Sequence, residues 1–167
     1  MITSKMMSWA AIAAFSVAGC AYNGDPPVQS SGPVLVYPVP LPTPEQAWID
    51  KGKWHFNRGE YGLAEWNYRQ AVERYRNNIE ALLGLAASYD HLKRFDEADR
   101  LYGVLERKIG NTPTLLNNLG FHYMLKGEFT SAEQALLRAQ SQDPYNLCVR
   151  ANLALLADWR AAAGRTG

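Results

Sequence analysis

Three histidines, two cysteines and a short carboxylate run are the residues of this chain best equipped for catalysis or metal binding. His55, His91 and His122 can ligate a metal or move protons, but only where the fold brings them to one another or to carboxylates. Asp96, Glu97 and Asp99 flank Ala98 as a charge run, most simply a solvated helix face. The sequence contains no G-x-S-x-G elbow, P-loop or H-E-x-x-H helix, so no catalytic residue and no metal ligand set is expected. A net charge of +1 lacks the Lys and Arg excess that phosphate neutralisation requires, which argues against nucleic acid as a partner. With 47% hydrophobic and 20% charged residues the chain has the composition of a globular protein.

The elements that hold these residues follow from a period. Ala64, Ala98 and Ala132 are spaced by 34 residues twice, and three units tile without a gap over 45–78, 79–112 and 113–146. Small residues recur at the eighth position (Gly52, Ala86, Gly120) and the twentieth (Ala64, Ala98, Ala132), so that two helices of one unit can approach closely. Trp48, Leu82 and Leu116 at the fourth position, with Tyr61, Phe95 and Phe129 at the seventeenth, supply bulk between units. Gly59 and Gly127 suit the positive φ of a helix end before a tight turn, where the second unit carries Lys93. Residues 147–163 carry Val149, Leu153, Leu156 and Trp159 at helical spacing and read as a terminal helix over the last unit.

In period and position these units resemble tetratricopeptide repeats, and the resemblance spans 45–146. It implies an all-α superhelix of three helix pairs with a C-terminal capping helix. The histidines fall at different repeat positions, so the stack does not gather them as metal ligands. His55 and His122 read as packed or partly exposed helix residues and His91 as a residue of the groove rim.

In such repeats the first helix of each unit lines a concave groove. Carried onto this chain, the groove set is Ile49, Lys53, Phe56, Leu83, Ala87, Asp90, His91, Asn117, Phe121, Met124 and Leu125. Apolar side chains dominate its centre, which suits an amphipathic helix or an extended apolar segment of a protein partner. Of the carboxylate clamp of the chaperone adaptors little more than Lys53 is present, with Ile49 and Gly84 at other clamp positions, so an acidic chaperone tail is not expected. Self-occupancy by the terminal helix or by Val34–Leu41 is the other reading of this groove.

The N-terminal region differs in composition. Seven of nine prolines precede residue 45. Lys5 and the apolar stretch Trp9–Gly19 have the layout of a signal peptide, too short for the about 20 apolar residues of a membrane span. Val17-Ala18-Gly19-Cys20 resembles the lipobox of bacterial lipoproteins, which implies cleavage after residue 19 and acyl chains on Cys20 as the one non-protein group. Multiple acyl chains anchor stably. Ala21, in place of aspartate, favours the outer membrane and a domain facing the periplasm. Residues 20–44 then form a lipidated, Pro-rich tether, either a plain spacer or, through Val34–Leu41, a docking segment. With Cys20 acylated only Cys148 is left, so no intramolecular disulfide is expected; Cys148 reads as a small residue at a helix start or an intermolecular thiol contact.

Leu83-Gly84-Leu85-Ala86-Ala87-Ser88-Tyr89-Asp90, Leu116-Asn117-Asn118-Leu119-Gly120-Phe121 and Ala151-Asn152-Leu153, together with the lipobox, resemble the TadD family of tetratricopeptide lipoproteins in tight-adherence (Flp) pilus assembly. The resemblance implies a pilotin-like, non-enzymatic scaffold that binds a segment of the outer-membrane secretin or another pilus component, with no small-molecule substrate. A periplasmic adaptor for cell-wall hydrolases or outer-membrane biogenesis factors is the alternative.

Overall fold

The computed structural model describes residues 43–164. The signal peptide, Cys20, Ala21 and the tether through Pro42 lie outside the described residues. Seven helices and no strand make up the described part: α1 (Pro44–Asn57), α2 (Tyr61–Arg74), α3 (Ile79–His91), α4 (Phe95–Ile109), α5 (Pro113–Lys126), α6 (Phe129–Gln142) and α7 (Leu147–Ala163).

Local chemistry sets the boundaries. The first helix of each pair, and α7, begins on a side-chain cap. Thr43 Oγ1 accepts from the Gln46 amide at 3.2 Å and Asn78 Oδ1 from Ala81 at 2.8 Å, while Asn146 Oδ1 accepts from Cys148 and Val149 at 3.1 and 3.2 Å. Pro44 and Pro113 follow the Thr43 and Thr112 caps, where a missing N–H costs nothing and the fixed φ suits a first helical turn. Each first helix then reverses through a left-handed residue, Gly59 (φ 75°), Lys93 (φ 58°) or Gly127 (φ 78°). The second repeat therefore makes the same turn as the others with a side chain in a conformation that disfavours one.

The helices pack as three pairs, α1 with α2, α3 with α4 and α5 with α6, with α7 against α5 and α6. The first helices, α1, α3, α5 and α7, also touch one another in sequence. The core is a chain of clusters: Ile49, Phe56 and Tyr68 in the first pair, Leu82, Leu105 and Leu115 at the second, and Met124, Leu136 and Leu156 under α7. Burying one such aliphatic side chain stabilises by roughly 1.5–3 kcal/mol. Tyr68 fixes the spacing between the first two pairs. Its ring lies so close to α1 and α3 that a Cβ on Gly84 would sit 2.3 Å from Cζ, and one on Gly52 2.8 Å from Cε1.

The seam between the second and third pairs is less filled. An open cleft of about 370 Å³ lies between α4, α5 and α6, bordered by Asp99, Tyr102, Glu106, Asn111, Leu116, Tyr123 and Arg138. Leu105 and Leu115 close the inner part of this seam, and polar bonds add to it.

Candidate functional site

The first helices bring an aromatic row together across all three repeats. Tyr61, at the start of α2, stacks on His91 of α3 with centroids 4.0 Å apart and planes 7° from parallel. Phe56 of α1 meets both rings edge-on at 5.2 Å, and Phe121 of α5 extends the row, 5.5 Å from His91. Burial pulls the His91 pKa down to about 4, so the imidazole is neutral at neutral pH and acts as one more ring of the row. Burial likewise pushes the Tyr61 hydroxyl up. Leu83 and Leu125, both half-buried, belong to the same helices.

Not every expected groove residue is available to a partner. Lys53, Leu83, His91, Phe121 and Leu125 keep partial exposure. Ile49, Phe56, Asp90, Asn117 and Met124, at fifth and twelfth positions, and Ala87, at a ninth, are buried. Ile49 and Phe56 belong to the first core cluster, and Met124 is packed with Leu156 of α7. Asn117 Oδ1 accepts from Asn152 Nδ2 of α7 at 2.9 Å. These six are packed inside the domain and are not open to a partner. Lys53 is paired with Glu80 of α3 and lies 3.9 Å from Asp50, so acidic side chains of this chain already meet its charge.

Asp90 has a role that repeat logic missed. Its carboxylate is buried at the second seam, where Oδ2 accepts from the Tyr102 hydroxyl at 2.7 Å and Oδ1 lies 2.5 Å from His122 Nδ1. On the other edge of the ring, His122 Nε2 lies 2.9 Å from Asp99 Oδ1, and Lys126 Nζ donates to Asp99 Oδ2 at 3.2 Å. Both ring nitrogens face carboxylate oxygens, which only accept, so the arrangement calls for the imidazolium. Burial pulls the His122 pKa down, but the Asp90 hydrogen bond and the charges of Asp90 and Asp99 outweigh it and set it above the usual range. Burial pushes Asp90 up against the pull of His122 and Tyr102. His122 is thus packed, a fully buried link between α3, α4 and α5, and Asp99 is its ion-pair partner rather than a simply solvated charge. The signal was present in the sequence as a Tyr102, Asp90 and His122 combination that the other repeats lack. His55 is a local contact, 2.7 Å from Glu60 Oε2 at the first turn. Cys148 is half-buried in the first turn of α7.

Helix pairs of one length, a shared left-handed turn, small residues where pairs meet and a seventh helix on the end define the tetratricopeptide-repeat fold. The chain has that fold. Among solved structures it is similar to the first tetratricopeptide domain of human RPAP3, at 17% identity and a TM-score of 0.61, over 74% of this chain and 97% of that one. It is also similar to the first such domain of Spaghetti (RPAP3) bound to the HSP90 peptide SRMEEVD, at 18% identity and a TM-score of 0.58, over 70% and 93%. The tetratricopeptide domain of Arabidopsis OM64 matches at 15% identity and a TM-score of 0.59, over 68% and 94%. No family model and no curated protein matches the sequence.

Proposed function

We propose that the protein is a lipid-anchored, non-enzymatic scaffold that takes an apolar segment of a protein partner along its concave face. The neutral aromatic row of Tyr61, His91 and Phe121 carries this reading, since ring faces without formal charge favour apolar side chains over an acidic tail. A similar domain, that of Spaghetti, holds a peptide. The acidic character of that peptide is not carried over, because Lys53 is already paired with Glu80.

Acyl chains on Cys20 would supply the membrane address, at the outer membrane with the repeats facing the periplasm. The likeness of 83–90 and 116–121 to the TadD family supports a secretin segment or another component of tight-adherence pilus assembly as the partner, captured in a pilotin-like manner. The test is a deletion strain complemented with the parent, Cys20→Ala or Phe121→Asp. Loss of outer-membrane secretin with either variant is expected, with Cys20→Ala released from the membrane fraction. Unchanged secretin abundance and assembly on deletion overturns the pilus reading, and co-purification with a cell-wall hydrolase instead moves the scaffold to that pathway.

A further inference from the structure

The outer face of the first helix pair inverts the pattern of the other two. Leu63 and Trp66 of α2 are 52% and 50% exposed. One period on, the same positions are Glu97 and Arg100, and two periods on, Ser131 and Gln134. In the third pair Ser131 and Gln134 border the cleft opposite Tyr102, Gly103 and Glu106 of α4, so these positions face the preceding pair. The first pair has no preceding pair among the described residues, yet it is the one with apolar side chains there. A repeat stack whose end is open to water needs a polar outer face. Trp48 of α1 enlarges the patch. Its ring meets Trp66 edge-on at 5.3 Å, with Lys51 Nζ 5.3 Å and the Arg74 guanidinium 5.6 Å from its centre.

From these observations we infer that Trp48, Leu63 and Trp66 are the docking face for residues 34–41 of the same chain, Val34-Leu35-Val36-Tyr37-Pro38-Val39-Pro40-Leu41, which cover it where a preceding helix would lie. The chain leads into the patch. Thr43 caps α1 and Glu45 accepts from Asn78 Nδ2 of α3 at 2.7 Å, so the start of α1 is fixed about one turn from Trp48. The segment ends two residues before that cap. Eight residues at about 3.1 Å each span about 25 Å in a polyproline II conformation, enough to cross a 14-residue helix of about 21 Å. Charge and hydrogen bonding also fit. No charged residue occurs over 26–44, and Pro38 and Pro40 carry no N–H that would be left unpaired against an indole. The prolines bar the segment from a second α-helix but suit an aromatic surface, the way proline-rich segments bind aromatic-lined grooves. This inference is independent of which partner fills the concave face.

The test places the photoreactive residue p-benzoylphenylalanine at Trp66, and separately at Leu63, in the full chain in its native membrane. After irradiation, mass spectrometry of digests from mixed light and heavy isotope cultures separates links within one chain from links between two. The expected product joins position 66 or 63 to a peptide containing 34–41 of the same chain, and it disappears when Val36→Asp and Leu41→Asp are added while the helical circular dichroism is retained. Cross-links to a second copy, to lipid or to another protein in place of that peptide overturn the inference. So does a persistent intramolecular link in the double-aspartate chain, or no link at all.

Discussion

Replacing Asp90 by leucine tests whether the buried ion pair holds the second and third repeats together. The substitution keeps roughly the volume and removes both acceptors. His122 Nδ1, now 2.5 Å from Asp90, would face a methyl group, and the Tyr102 hydroxyl would lose its 2.7 Å bond. Removing one member of a buried pair costs about 3–5 kcal/mol, and an orphaned buried hydroxyl about 1–3 kcal/mol. These terms overlap, and Asp99 still receives Nε2 at 2.9 Å, so a loss of about 4 kcal/mol is expected. That is a large part of the roughly 5–15 kcal/mol of a whole domain. In urea, with a slope of about 2 kcal/mol/M, the midpoint should fall by about 2 M. The triple variant Asp90→Leu, Tyr102→Phe, His122→Leu removes every polar atom of the inner network and should regain most of the loss, since apolar replacement of a buried pair is often neutral or stabilising. A single variant within about 1 kcal/mol of the parent, or a triple variant as unstable as the single one, refutes the account.

Acid should weaken the domain through His91. Its folded pKa is about 4 against 6.5 for the free side chain, so the unfolded chain binds the proton first and stability falls as pH drops from about 6.5 towards 4. Allowing for its partial exposure the loss is about 2 kcal/mol, read from urea midpoints across that window, and His91→Phe should flatten it. His122 works in the opposite sense: its raised pKa gives a contribution that is complete below about 6.5 and fades as pH rises through the folded value, a decline that His122→Gln should abolish. Gly84→Ala drives a Cβ into the Tyr68 ring at 2.3 Å and should lower stability by about 1–3 kcal/mol by thermal melting, with Tyr68→Leu added to the variant restoring part of it. Lys93→Gly should raise stability by about 1 kcal/mol by relieving φ 58°, whereas Gly127→Ala should lower it by about as much.

The parts of the molecule that repeat were readable, because a feature set by local geometry recurs with the period. Gly59, Lys93 and Gly127 mark one turn three times, and the alanines at 64, 98 and 132 are all fully buried. Interactions between unlike positions of neighbouring repeats were not readable this way. Asp90 and His122 stand 32 residues apart, off the period, so comparing equivalent positions never set them side by side. The groove was legible in outline only. Its residue types are mostly apolar, but how much of each side chain the next repeat or α7 covers is not written in the residue type. Thus Asn117 and Met124 pass to α7, while Tyr61 packs between units as assigned, its ring stacked on His91.

In a linear array of repeats, the contacts between neighbours decide whether the units melt together or one after another. The cleft beside α4 leaves the outer part of the second seam open, and the proton-bearing His122 bridge joins Leu105 and Leu115 in closing the rest. Cooperativity between the first two repeats therefore rests on the Tyr68 wedge, which no pH change within the physiological range disturbs. Cooperativity with the third rests in part on charge. Raising the pH through the His122 pKa thus does more than subtract stability: it shifts unfolding from a single transition towards two, with α5, α6 and α7 separating first and taking Phe121, the end of the aromatic row, with them.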